Sequence, residues 1–168
     1  MKKTSIDEIM IARCIKLSKT ALKKGDAPFG CVITDNMGKI FAQGYNRVRL
    51  DNDVTHHAEI NAMRKAMKKH GLYDMKKGGY DFSAYTLYSN CEPCPMCSFM
   101  IRELKFGKVV FAVHSKIMGG LTRWNILRDT KLETLVPFFR TPPKIITGVL
   151  KEQALDVYRS IHWDRMFE

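Results

Sequence analysis

Apolar residues fall along the chain in two rhythms. Behind Ser5, the residues Ile6, Met10, Cys14, Leu17 and Ala21 recur at spacings of three and four, which puts them on one face of an α-helix. Ser5 followed by Glu8 reads as a capping box that starts this helix, and Gly25 ends it. Cys31 to Thr34 and Ile40 to Ala42 read as two short strands around a hairpin turn at Asp35-Asn36-Met37-Gly38. Asn46 to Thr55 is polar and predicts a loop. Thr55 then reads as the N-cap of a second helix, which runs through Ile60, Met63 and Met67 to Gly71. After a Gly-rich stretch, Tyr85 to Ser89 predicts a strand, and a helix follows from near Cys94 to near Gly107. Val109 to Val113 is an unbroken apolar, β-branched run, the mark of a strand covered on both faces. Beyond it the pattern predicts a loop at Gly119-Gly120, a short helix over Arg123 to Arg128 and a turn at Pro142-Pro143. A strand from Ile145 to Thr147 and a helix carrying Ala154, Leu155, Tyr158 and Ile161 complete the pattern.

Helices interleaved with strands predict a sheet covered on both faces, hence an α/β fold built as a three-layer α/β/α sandwich around a central sheet of about five strands. A length of 168 residues suits one domain spanning 1–168. The 45% hydrophobic content excludes a disordered chain. The basic Met1-Lys2-Lys3 is followed by Asp7, Glu8, Arg13 and Lys16 with no uninterrupted apolar run, so no signal peptide is read there. No stretch approaches the roughly 18 apolar residues of a membrane span. The expected location is the cytoplasm.

A formal charge of +11 raises the prospect of a polyanionic partner. The basic residues are scattered, however, at Lys23-Lys24, Arg47/Arg49, Lys68-Lys69, Lys76-Lys77 and Arg102/Lys105/Lys108, and a solvated basic surface explains them equally well.

Three of the five cysteines crowd into Cys91, Cys94 and Cys97, an odd count and a clustering that point to metal more than to disulfides. His57-Ala58-Glu59 lies 37 residues before Cys94. Zinc takes neutral imidazole and thiolate, and a catalytic site keeps three protein ligands and one open position. Cys94 and Cys97 are three apart, so one helical face presents both sulfurs to one ion. His57 and Glu59 are two apart, about 200° around a helix, and share a pocket only if the first turn points end-on at the metal. Zinc lowers the pKa of a water in its open position to about 7. A carboxylate beside the metal, itself not a ligand, then moves that water's proton to the leaving amine, a task that fits Glu59. The joint pattern H-x-E and P-C-x-x-C is the signature of zinc nucleobase deaminases. A closed structural site of Cys91, Cys94, Cys97 and His57 is the competing arrangement. His56 reads as a packing residue, His70 as solvated, and Cys14 and Cys31 as small core residues.

The chain resembles the cytidine-deaminase-like superfamily, in the branch that contains guanine deaminases and bacterial tRNA adenosine deaminases. The resemblance runs from about Ile6 to Val149 and rests on Ala27-Pro28-Phe29-Gly30, Gly44-Tyr45-Asn46, Asp53 to Glu59, Asn90 to Cys97 and Val109-Val110-Phe111. It implies a mixed sheet, one zinc ion per chain held by His57, Cys94 and Cys97, and Glu59 as the proton shuttle. It implies further that Asn46 holds a base edge, that Phe29 forms an aromatic wall, and that the backbone N–H groups of Ala58 and Cys94 make polar contacts. Asn46 has a rationale of its own, since an amide offers both a donor and an acceptor to a base edge. Members of the family are usually homodimers.

Cys91-Glu92-Pro93-Cys94-Pro95-Met96-Cys97 is closer to the guanine deaminases, yet their additional acidic residue after the Val109 strand is replaced here by His114-Ser115-Lys116. Ile145 to Leu150 leading into a helix is similar to the tRNA enzymes, whose strongly basic tail has no counterpart in Asp164 to Glu168. The insert around Lys76 to Phe82 is longer than usual for the family. The expected activity is hydrolytic deamination of a purine-type, guanine-like base or nucleoside with release of ammonia. Trp163, Phe167 and Trp124 are candidate lid residues for such a small substrate. The alternatives are a tRNA-specific deaminase converting adenosine to inosine at the wobble position, and a zinc-stabilised binding module without catalysis.

Overall fold

The computed structural model describes residues 4–71, 79–135, 139, 141–164 and 167. Helix α1 (Ile6–Lys23) opens on the expected capping box: Ser5 Oγ accepts from the Glu8 N–H while the Glu8 carboxylate accepts from the Ser5 N–H. A hairpin follows, β1 (Gly30–Thr34) and β2 (Ile40–Tyr45), the latter three residues longer than its apolar run predicts. Then come α2 (Val48–Asp51), α3 (Ala58–His70), β3 (Thr86–Cys91), α4 (Pro95–Glu103), β4 (Lys108–Val113), α5 (Leu132–Leu135), β5 (Lys144–Thr147) and α6 (Lys151–Arg159).

The five strands form one mixed sheet in the order β2-β1-β3-β4-β5. β1 runs antiparallel to both β2 and β3, whereas β3, β4 and β5 are parallel. Alternation along the central strands sorts side chains to two faces. Ile33, Leu87, Val109 and Phe111 join Met63 of α3 and Ile101 of α4 in one apolar cluster. Their neighbours Val32, Tyr88, Val110 and Ala112 join Ile11 of α1 and Tyr158 of α6 in the other. Two helix layers therefore sandwich the sheet, as the interleaved pattern predicts. At the edge strand β2, Lys65 Nζ donates to the Gln43 carbonyl at 3.0 Å and Lys69 Nζ to the Phe41 carbonyl at 2.6 Å, which blunts an open edge.

Three local expectations are corrected. The polar segment 46–55 contains the single turn α2. Thr55 is not the cap of α3, because its N–H and hydroxyl both donate to Asp53 Oδ1, and the helix starts only after His57. Residues 123–128 form turns and no helix. Asn125 has a positive φ of 54°, and the Ile126 carbonyl accepts from the Arg102 guanidinium at 3.0 Å instead of from a helical N–H. Lys76-Lys77, at the start of the insert, and Arg165, Met166 and Glu168 lie outside the described residues. No described helix is long and apolar enough to cross a membrane.

Candidate active site

Two helices begin at the same end of the sheet, and their first residues build the site. His57 is the N-cap of α3, and Cys94 is the N-cap of α4 with Pro95 in the first helical position. His57 makes no side-chain capping bond to its own helix. Packing brings α3 down onto the sheet at Gly44, where a Cβ would meet the Ala58 carbonyl oxygen and the Ala62 nitrogen at 2.7 Å.

His57 Nδ1 lies 3.5 Å from Cys94 Sγ and 3.6 Å from Cys97 Sγ, and all three donor atoms fall within 4.8 Å of one another. A tetrahedral zinc with Zn–N of about 2.0–2.1 Å and Zn–S of about 2.3 Å separates its nitrogen and sulfur ligands by about 3.5–3.6 Å. The donors therefore fit a zinc ion and leave one of four positions open. Among the described residues no fourth His, Cys, Asp or Glu joins the cluster, so the closed arrangement through Cys91 is not formed. Cys91 ends β3, buried.

The electrostatics of the cluster favour a cation. Hydrogen bonds from Cys97 and then His57, at the positive end of α4, pull the Cys94 thiol down to about 4 in spite of burial. Cys97, beside that charge and buried, is pushed well up, and the Cys94 sulfur raises His57. A metal that takes both sulfurs as thiolates thus displaces protons on binding.

Glu59, in the first turn of α3, is only 5% exposed. Its Oε1 accepts from Ser89 Oγ at 3.0 Å, and its Oε2 faces Cys97 Sγ at 3.6 Å. Burial raises its carboxyl above the usual range, and the nearby Cys94 charge adds to this. His57 and Glu59 share one pocket because the first turn of α3 does point end-on, though from a cap two residues later than predicted.

A cavity of about 240 Å³ opens over these groups, lined by His57, Glu59 and Cys94 at its floor and by Phe29, Asn46, Trp163 and Phe167 around it. Phe29 is wedged against Tyr158 and Phe167, with ring centroids 6.0 and 6.2 Å apart. Asn90 fixes the segment before β1, accepting from the Gly30 N–H at 2.7 Å and donating to the Pro28 carbonyl at 3.1 Å. Asn46 is buried, and its Nδ2 donates to Asp26 Oδ1 at 2.7 Å. Ala58 does not line the cavity, but its N–H, at the open end of α3, meets no acceptor among the described residues. Of the candidate lid residues, Trp163 and Phe167 reach the cavity, whereas Trp124 is 54% exposed and does not line it. His56 bonds to Asp51, and His70 is exposed but rests against Phe82.

Three contributors escape the motif reading: Asp26, Ser89 and Glu92. Glu92 lies inside the cysteine motif, and its side chain is fully buried. It accepts from the N–H groups of Ser115, Leu121 and Thr122 and from Thr122 Oγ1, at 2.6–2.9 Å, and holds the segment that carries Ser115 and Met118 to the cavity. The signal for Glu92 is a carboxylate between two apolar positions. Asp26 and Ser89 carry no comparable local mark.

A family model, that of the cytidine and deoxycytidylate deaminase zinc-binding region, matches residues 4–113. The chain is similar to the guanine deaminase of Bacillus subtilis (strain 168), 41% identical over 91 residues that cover 54% of this chain and 53% of that protein, so it spans about half the length of this relative. It is also similar to the tRNA-specific adenosine deaminase of the same organism, 30% identical over 149 residues, covering 88% of this chain and 83% of the other. Among solved structures, a guanine deaminase from Nitrosomonas europaea superposes with a TM-score of 0.69 at 22% identity, over 94% of this chain and 84% of that one, a likeness of fold.

Proposed function

The chain belongs to the cytidine and deoxycytidylate deaminase zinc-binding family, and from that premise we propose a zinc-dependent hydrolase that replaces the amino group of a guanine-like purine base or nucleoside by an oxo group and releases ammonia. The carrying observation is a three-donor zinc cluster, two of whose members, His57 and Cys94, line one cavity together with the buried Glu59 carboxylate. When bound at His57, Cys94 and Cys97, zinc supplies a nucleophile drawn from water at neutral pH. Glu59 accepts the proton at its carboxylate and returns it to the departing amine, and its raised proton affinity suits a group that must hold that proton between the two transfers. The Ser89 hydroxyl keeps the carboxylate oriented. Phe29, Trp163 and Phe167 supply apolar surface for a planar ring and exclude water from it. Asn46 contacts the base edge, and the Ala58 and Cys94 N–H groups are polar contacts beside the reacting atoms.

Ammonia release measured over guanine, adenine, cytosine, their nucleosides, pterins and a tRNA anticodon stem tests the reading. Release from guanine or a related small molecule is expected; activity confined to the tRNA overturns it. The second reading, conversion of adenosine to inosine at the tRNA wobble position, is favoured by the likeness to a tRNA-specific deaminase over most of the chain. Against it stand Trp163 and Phe167, which add apolar side chains to the cavity lining that a splayed nucleotide would have to share. The enzyme is further proposed to act as a cytoplasmic homodimer.

A further inference from the structure

Asp26 carries four hydrogen bonds on one buried carboxylate. Oδ1 accepts from Asn46 Nδ2 at 2.7 Å and from the Ala27 N–H at 2.8 Å. Oδ2 accepts from the Arg49 and Leu50 N–H groups of α2 at 2.9 and 3.1 Å. These bonds outweigh burial and hold the carboxyl below its ordinary range, so at neutral pH it is ionised and can only accept. Turning an asparagine amide over exchanges its oxygen and nitrogen at almost no cost in shape, and the surrounding partners decide the orientation. A carboxylate at hydrogen-bond distance decides it here, because the reversed amide would set oxygen against oxygen. The backbone of Asn46 is held as well, its N–H donating to the Phe29 carbonyl at 3.0 Å. The Asn46 carbonyl oxygen has no partner among the described residues and is not sealed away from the cavity that the residue lines.

We propose that Asp26 is a positioning residue that fixes the Asn46 amide with its acceptor oxygen toward the substrate, so that the site selects bases built as 2-amino lactams. This deepens the deaminase reading and rests on it. In guanine and in pterins the carbon that bears the amino group is flanked by a ring N–H, a donor that an acceptor oxygen can meet. In adenine and cytosine the ring nitrogen beside that carbon is an acceptor, which the same oxygen repels. An amide free to turn over serves either edge; an amide locked by a carboxylate favours one.

Two measurements test this. In ¹⁵N-labelled wild type the Asn46 side-chain amide is expected to show one proton shifted downfield and protected from exchange, and Asp26→Asn, which offers a partner of either polarity, abolishes that protection. Steady-state ammonia release is then compared for guanine and for 2-aminopurine, which keeps the amino-bearing carbon but lacks the ring N–H. Asp26→Asn lowers kcat/KM for guanine mainly through KM and reduces the guanine to 2-aminopurine ratio at least about tenfold. Asn46→Ala reduces the ratio similarly, and adding Asp26→Asn to it changes nothing further. An unchanged ratio in folded, zinc-loaded Asp26→Asn overturns the proposal, as does an unprotected Asn46 amide in wild type; either result leaves the deaminase reading standing. If Asp26→Asn does not fold, the wild-type amide and the Asn46→Ala ratio decide. Ammonia from no base at all overturns the deaminase reading and the selection with it, and the amide measurement alone then decides whether Asp26 holds Asn46.

Discussion

The floor and the rim of the cavity are built by different means. The floor comes from two helix starts docked on one face of the sheet, with His57, Glu59, Cys94 and Cys97 all in or beside a first turn. The rim is assembled from distant pieces: Phe29 before β1, Asn46 after β2, Trp163 and Phe167 beyond α6. The floor is packed against the buried cluster that contains Ala58, Met63, Cys97 and Ile101, and its geometry is as rigid as that core. The rim is held by contacts between distant segments, such as Asp26 to Asn46 and the ring of Phe167 on Tyr158, with centroids 4.2 Å apart. On the proposed function, chemistry falls to the part built from helix starts and selection to the part built from distant segments.

Replacing a floor ligand should have the largest effect. Cys97→Ala is expected to lose zinc and all turnover, and its melting temperature should become insensitive to a chelator that lowers that of wild type. Full activity without bound metal would end the distinction between floor and rim. Next comes Glu59→Ala, which should retain zinc, measured by elemental analysis, while turnover falls at least about a thousandfold; equal turnover in mutant and wild type removes Glu59 from the reaction. At the rim, Phe167→Ala should raise KM roughly tenfold and leave kcat within about threefold, since it removes apolar surface and no reacting group. A collapse of kcat with unchanged KM would make the rim part of the chemistry.

The smallest effect concerns acid. Asp26 has a folded pKa depressed below its ordinary 3.8, so its contribution to stability is fully present above that value and is lost as the pH falls through the lower folded value. Asp26→Asn should therefore be less stable than wild type at pH 7, by on the order of 1–3 kcal/mol, in denaturant titrations. The gap should close in strong acid. A gap that widens on acidification contradicts an ionised Asp26.

How much of this was legible in the sequence follows the same division. His57, Glu59, Cys94 and Cys97 stand out in the sequence because the members of each pair are two or three positions apart and helix geometry supplies the rest. The capping box of α1 is equally local. The mistaken cap at Thr55 and the missed turn of α2 have one cause: partners outside the pattern. Thr55 is claimed by Asp53, and the first N–H groups of α2 are claimed by Asp26, more than twenty residues earlier. The same holds at 123–128, where a carbonyl is taken by Arg102. The amide of Asn46 was expected to offer donor and acceptor alike, and only the distant Asp26 reveals which of the two is already engaged.

The Glu92 hub has a consequence for redesign. Most of its bonds to the segment above the cavity go to main-chain N–H groups, which any residue but proline supplies. The shape of that segment is thus dictated from outside it, while Ile117 and Met118 at its crest are 47% and 53% exposed. Of the two, Met118 lines the cavity, and it is the position at which new side chains can be tried against new substrates while the scaffold that carries it stays in place.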